Sequence, residues 1–528
     1  MKIGARIAAL RVGAGLTQEH LAEYVGVTRQ AVQKWESGAA TPDLEKLVAI
    51  SRRFHVTLDE LIVDKSDIKT DEELRFSHRY LPNYATLPGW ELYSSNILIE
   101  YEQLLDEGRD VAKYKKLAQE IAALPVGKTR EDMADYLAGL MHREPVIPEY
   151  AFYEPSALEE IRACRKPYPF TAMPPADQSV IGDKVRGAWL GRIAGCLLGK
   201  PIEGIRTGDL NYLLKATGNY PLQRYIRLAD LNEEIYQNCK YPLKGHCFAD
   251  TIHEAPVDDD TNYTVMAAAK LIPQYGREFR PEDVARCWLD SQPKNAYCTA
   301  ERVAFINFVN GYYPPVSAIY KNPFREWIGA QIRADYFGYI NPGDPEAAAD
   351  MAWRDASVSH VKNGIYGEMF VAAMLACAAV GSDLKTVILR GLAEIPARSR
   401  LHAEVTELIS LFDAGKTADE CIRWIASRYD ENSSHHWCHT VSNALIVITA
   451  LLYGQMDFGK TICLAVGCGF DTDCNGATAG SILGMMLGAA SIPEEWTAVF
   501  QGKLRTSIFG VGTIGIDELC QLTLAHMA

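Results

Sequence analysis

The chain has 528 residues, 48% apolar and 23% charged, the balance of a soluble globular protein with more than one core. Its 40 glycines and 25 prolines form no collagen-like or low-complexity composition. A formal charge of −14 speaks against a chain that coats nucleic acid or anionic membrane throughout, yet residues 1–65 carry nine basic and eight acidic side chains, so the acidity lies downstream.

Thirteen cysteines run singly from Cys164 to Cys520 without a CxxC pair, which points to reduced, mostly buried thiols. The start Met1-Lys2-Ile3-Gly4-Ala5-Arg6 has no apolar run of signal-peptide length. The most apolar stretches, 444–453 and 370–380, fall short of the ~20 residues that span a bilayer. A cytoplasmic, soluble protein is expected.

In residues 1–65 apolar side chains recur at helical spacing: Ile3, Ile7 and Leu10, Leu21 and Val25, Val32 and Trp35, Leu44, Leu47 and Ile50. Thr17 and Thr28 can cap, Thr41-Pro42 sets proline at a first helical turn, and Thr57-Leu58-Asp59-Glu60 is a capping box. Five short helices follow, with the second and third joined by the tight turn Val25-Gly26-Val27. The segments 17–22, 25–28 and 32–38 resemble the phage-repressor (Xre-type) helix-turn-helix family. The resemblance implies a DNA-binding domain whose third helix enters the major groove. Arg29, Gln30, Gln33 and Lys34 would then face bases or phosphates, and Gln18 a phosphate. The competing reading makes the same residues the solvated face of a bundle that binds protein, and near-neutral charge favours it.

Residues 66–175 begin with the polar run Asp64-Lys65-Ser66-Asp67, a linker by composition. Apolar helical patterns follow around 97–105, 111–124 and 132–141, flanked by Pro82, Pro88, Pro145, Pro148, Pro167, Pro169, Pro174 and Pro175. No catalytic constellation is visible, so the segment reads as a helical appendage of the domain at 176–528.

From about residue 182 helical patterns dominate. Gly187, Gly191, Gly195 and Gly199 repeat every four residues, as do Gly476, Gly480, Gly484 and Gly488. Glycine costs about 1 kcal/mol against alanine inside a helix, so each stripe needs a compensation, and close approach of another helix supplies one. Two motif-like segments fail on inspection. Gly195–Pro201 is too short for a phosphate-binding loop and has Pro201 where Ser or Thr would hold magnesium. The run from Asp471 imitates a calcium loop but has Ile482 at its twelfth position instead of glutamate.

Acids abut both apolar helical runs. Asp258, Asp259 and Asp260 precede 263–272, and Asp471 and Asp473 precede the second glycine stripe. Adjacent carboxylates near a core repel unless neutralised, and a helix N-terminus offers only about half a charge. A hard divalent cation shared by the two clusters would supply the rest. Either cluster alone would read more simply as a solvated, capping turn.

Asp258–Thr261, the run 467–473 and the run 187–203 resemble the ADP-ribosylglycohydrolase family, over about 182–510 and in the family's order. Segments 328–333, 342–346 and 355–360 agree in part. The resemblance implies an all-α domain with two Mg²⁺ ions, Mn²⁺ being an alternative. Carried over by position, Asp258, Asp259 and Asp260 ligate from one side and Asp471 and Asp473 from the other. Cys474 stands at the family's threonine ligand and Cys196 at its aspartate, while Asp258 stands where many relatives have threonine. Glu203 matches the glutamate set against the scissile bond. The implied chemistry is metal-assisted hydrolysis of an ADP-ribosyl N- or O-glycosidic bond, with Glu203, Asp259 and Asp473 as catalytic groups. Gly329, Arg333, Ser359 and His360 are candidate contacts to diphosphate and adenosine. The block around Arg333 lacks the family's Met-Arg-x-x-Pro ending, which suggests a different substrate or protein-side group. His435, His436 and His439 stay unassigned.

Expected partners are an ADP-ribosylated substrate or ADP-ribose-like ligand, DNA through residues 1–65, and a second copy of the chain. Two other functions compete: a regulator whose glycohydrolase-like domain senses such a ligand without turnover, and a hydrolase of a small ribosyl compound.

Overall fold

A computed structural model describes residues 3–62, 82–168, 170, 172–381 and 383–527. The linker residues Asp64–Asp67 and Pro169 fall outside the described residues. The chain divides into two compact units, Met1–Tyr84 and Ala85–Ala528.

The first unit holds the five expected helices: α1 (Ile3–Gly13), α2 (Gln18–Val25), α3 (Arg29–Glu36), α4 (Leu44–Phe54) and α5 (Leu58–Ile62). Thr17 accepts the His20 N–H at 3.1 Å and Thr28 accepts that of Ala31 at 3.3 Å. Gly26 closes α2 with φ 65°, a conformation that costs glycine nothing. Ile7, Leu21, Val32, Trp35, Ile50 and Leu61 meet in one small core. The fourth helix differs from its sequence reading. It starts at Leu44 behind Asp43, whose carboxylate accepts the Lys46 N–H at 2.9 Å. Aspartate caps well and leaves Pro42 outside the helix.

Among the described residues the regular elements of the second unit are helices, joined by irregular stretches, apart from a two-stranded antiparallel ribbon, β1 (Lys503–Arg505) with β2 (Thr513–Gly515). Each strand buries one apolar side chain, Leu504 or Ile514, too little to register as an alternating pattern. The appendage helices form, with shifted bounds: α6 (Ile97–Asp106), a helix at Lys115–Ala122 and one at Lys128–Met141. They share a small core of Ile97, Leu104, Ile121, Leu137 and Met141.

Buried ions tie α6 to the rest of this unit. Arg325 reaches Glu100 at 2.9 Å and Glu107 at 2.7 Å, and Gln103 donates to Glu326 at 2.7 Å. Arg400 joins Glu326 at 2.6 Å and Glu154 at 3.0 Å. Removing one partner of such a pair strands the other charge in a dry interior.

The glycine stripes lie face to face. On α7 (Ile181–Gly199), a Cβ at Gly187, Gly191 or Gly195 would collide with the backbone of Gly484, Gly480 or Gly476 respectively. Those partners belong to α9 (Thr472–Leu487), which runs antiparallel to α7. A Cβ at Gly199 would strike Thr472 and Asp473. Close backbone contact therefore brings the C-terminus of α7, and the loop 200–203 behind it, against the acidic start of α9.

Candidate metal centre

Four elements converge at this point. α7 delivers Cys196 and then Lys200 and Glu203. α8 (Asp259–Met266) starts with Asp258 as its cap, whose carboxylate accepts the Asp260 N–H at 2.9 Å. α9 starts after Asp471, preceded by Gly469 and Phe470 with φ 74° and 57°. A left-handed phenylalanine is a strained residue held by its surroundings, and such strain clusters at functional turns. The loop 435–440 supplies Cys438, whose thiol donates to Asp471 Oδ2 at 3.1 Å.

Asp258, Asp260, Asp471 and Asp473 place ligand atoms in shared groups, and Asp259, electrostatically coupled to Asp258 and Asp471, enters none of them. Within one 4.8 Å spread lie ligand atoms of Asp260, Asp473 and Cys474, and likewise of Cys196, Asp258 and Asp260, and of Glu203, Asp471 and Asp473. Asp260 is fully buried, and Arg192 donates to its carbonyl at 2.8 Å and its Oδ1 at 3.2 Å. Its Oδ2, together with Asp471 Oδ1 and Asp473 Oδ1, is buried without a hydrogen-bond partner. Orphaned buried carboxylate oxygens are costly, and a divalent cation is what such a donor set fits.

The electrostatics agree. The protein packed around Glu203, whose outer edge still reaches solvent, pushes it up to about 8 by desolvation, aided by Asp471 and Asp259, and burial pushes Asp259 up to about 6, aided by Asp258. Burial with neighbouring acids also raises Asp260 and Asp473 well above the carboxylate range. Asp258 departs from this pattern: burial works against its charge, but Lys200 Nζ at 2.5 Å holds it low. Sequence reading missed Lys200, whose role appears only once α7 and α8 are placed together. Cys438, and Cys298 beside Asp259, were missed for the same reason.

The other carried-over residues enter none of these ligand groups. Arg333 is 2% exposed, and its guanidinium is engaged by Asp355, Glu301 and Glu368, over the Trp288 ring at 5.0 Å. That leaves no free donor for a diphosphate. Gly329 is needed because a Cβ there would strike the Glu301 carboxylate. Ser359 and His360 are fully buried and joined at 2.8 Å, with His360 Nε2 unpartnered.

The unassigned histidines also find a place. His435 Nδ1 accepts from the Trp327 indole at 3.3 Å and His439 Nδ1 from the Val441 N–H at 3.1 Å. Both protons then sit on Nε2; that of His435 bonds Asp106 at 3.1 Å, while His439 Nε2 lies 3.9 Å from the same carboxylate without a hydrogen bond. Metal binding through Nε2 would need those Nδ1 atoms protonated against donors. The trio is therefore a clamp on α6.

In the first unit Arg29, Gln30, Gln33 and Lys34 are exposed on α3, while Val32 and Trp35 are buried. Gln18 donates to Glu36 at 2.7 Å, and Arg11 holds the same carboxylate at 2.6 Å. A cavity of about 1250 Å³ lies beyond Phe470, lined by Thr207, Tyr429, Glu431 and Trp496 and by none of the five aspartates.

A mostly helical domain in which the glycine-paired helices α7 and α9 bring the acidic start of α9 towards that of α8 defines a class, and comparison with known proteins agrees. A family model described as ADP-ribosylglycohydrolase matches residues 177–524, and one described as helix-turn-helix matches residues 7–61. The chain belongs to the ADP-ribosylglycohydrolase family and carries an N-terminal helix-turn-helix domain of the kind found in transcription regulators. The HTH-type transcriptional activator BcrR of Enterococcus faecalis is 42% identical over 117 residues, 19% of this chain and 57% of that protein. The transcriptional regulator YonR of Bacillus subtilis (strain 168) is 37% identical over 59 residues, 11% of this chain and 55% of its own. The chain thus spans little more than half the length of these two relatives. The phage repressor RstR of Vibrio cholerae is 30% identical over 108 residues, 20% of this chain and 94% of that protein. A solved structure titled as an ADP-ribosylglycohydrolase-related protein complex covers 66% of this chain and 98% of its own, at 18% identity and a TM-score of 0.40. Among the described residues no helix is long and apolar enough to cross a membrane.

Proposed function

We propose that the second unit hydrolyses an ADP-ribosyl N- or O-glycosidic bond with a divalent metal, and that the first unit directs the protein to DNA. The observation that carries the enzymatic reading is the set of orphaned, buried carboxylate oxygens of Asp260, Asp471 and Asp473 gathered beside Glu203. Asp259, Asp260, Asp471 and Asp473 would hold the metal, Mg²⁺ or Mn²⁺ by family resemblance. Bound there, the metal supplies positive charge that fixes ribose hydroxyls and a water near the anomeric carbon.

This chain's own groups do the proton work. Glu203 reaches solvent while lying within 4.8 Å of ligand atoms of Asp471 and Asp473. As the carboxyl of the cluster that reaches solvent, Glu203 can give a proton to the leaving group, or take one from water once ionised. Asp473 and Asp259 stabilise the oxocarbenium-like charge that develops on the ribose.

Supplying ADP-ribosyl-arginine, ADP-ribosyl-serine and free ribosyl compounds with Mg²⁺ and then with EDTA tests this reading. Metal-dependent release from at least one substrate is expected. Tight ADP-ribose binding with no turnover on any of them would instead establish the sensor, a reading that the Lys200–Asp258 ion pair favours because it already neutralises one ligand position.

For the first unit, the exposed row Arg29, Gln30, Gln33 and Lys34 supports base and phosphate contact. Arg29→Ala is expected to weaken an operator recovered from genomic DNA by about 1–3 kcal/mol in a binding titration. Unchanged affinity would assign that face to protein contact.

A further inference from the structure

Thiols crowd this acidic centre. Cys438 donates to Asp471, Cys196 lies against Asp258, Cys298 lies against Asp259, and Cys474 lies against Asp471. All but Cys298 are buried. Two of the four are also placed to ligate: Cys196 with Asp258 and Asp260, and Cys474 with Asp260 and Asp473. The two groups are not equivalent. Asp258 already carries the Lys200 ammonium at 2.5 Å, so a cation on the Cys196 side would have to displace it. On the Cys474 side the free oxygens Asp260 Oδ2 and Asp473 Oδ1 are buried and unpartnered.

Resting on the reading of this cluster as a metal centre, we propose that Cys474 Sγ, Asp260 and Asp473 together bind one thiophilic divalent ion of the zinc class in preference to Mg²⁺. A sulfur donor selects borderline and soft ions, whereas an all-oxygen set suits magnesium. Binding proceeds with loss of the Cys474 thiol proton to solvent, and the thiolate–metal bond replaces the S–H bond. No redox step is involved. The two carboxylates and one thiolate leave at least one coordination position for water or a ribose hydroxyl, as a working rather than a structural site requires.

Co²⁺ titrated into the full-length protein tests this without reference to turnover. A thiolate-to-cobalt charge-transfer band in the near ultraviolet is expected, with Zn²⁺ displacing Co²⁺ far more readily than Mg²⁺ does. Cys474→Ser should abolish the band and weaken Co²⁺ by about tenfold or more, the loss that even outer-sphere changes produce at metal sites. Cys474→Thr should shift preference towards Mg²⁺. Cys520→Ser, on the C-terminal helix, should change nothing, and an unaltered thermal transition shows that each variant is folded. A band that survives in Cys474→Ser, or Mg²⁺ competing as well as Zn²⁺ in the wild type, overturns the proposal while leaving the metal centre intact. Failure of every divalent ion to bind overturns the metal centre as well.

Discussion

Asp473→Asn is expected to stabilise the metal-free fold at pH 8 while abolishing metal retention and ADP-ribosyl release. Asp473 is 2% exposed, one of its oxygens lacks a partner, and burial with the charges of Glu203, Asp471 and Asp258 raises its pKa well above the carboxylate range. At pH 8 the folded protein must ionise it at a cost or hold a proton the unfolded chain would release. Asparagine keeps the shape and removes that cost, an exchange of stability for function that active sites commonly show. A loss in turnover of about 100-fold or more is the scale at which preorganised electrostatic groups act. Denaturant unfolding in EDTA and ADP-ribose release in metal check the two halves. A variant less stable than wild type in EDTA would mean that Asp473 is a satisfied structural acid.

The second large effect is a pH dependence that metal reverses. Glu203 is raised to about 8 and Asp259 to about 6, with Asp260 and Asp473 higher than ordinary carboxyls. The folded state therefore binds more protons than the unfolded chain between pH 4 and 8, and stability falls as pH rises through that window. Asp258 contributes in the opposite sense because its folded pKa is lowered, losing its stabilisation only at acid pH. The decline is expected to run from pH 5 to 8 in EDTA, with Glu203 contributing less than its shift alone would give because its side chain reaches solvent. Saturating divalent metal should flatten or invert the slope, because ionised carboxylates are then the bound form. Urea unfolding across that pH range, with and without metal, measures both slopes.

Much of this architecture was legible beforehand because it is written in local periodicity. Glycines at every fourth position predicted a close helix pair, and α7 and α9 meet at those positions. Acids placed immediately before apolar helices predicted two facing clusters, and the helix-turn-helix segment announced itself through Thr17, Gly26, Thr28 and Trp35. Pairings between distant residues were not legible. Lys200 is an ordinary lysine until Asp258 lies beside it, and Arg333 looks free until Glu301, Asp355 and Glu368 close around it. The clamp of His435 and His439 on Asp106 joins positions more than 300 residues apart and has no local signal. Cys474 was visible as a departure from the family's pattern, but its proximity to Asp260 and Asp473 was not.

The claim on which the rest depends is that residues 258–260 and 471–473 form one centre. Calorimetric titration of Mn²⁺ into the wild type, Asp259→Ala and Asp473→Ala tests it most directly. The shared centre predicts that each substitution alone removes high-affinity binding, although the two residues lie on different helices. Wild-type affinity in either variant would show that the two acidic clusters act separately.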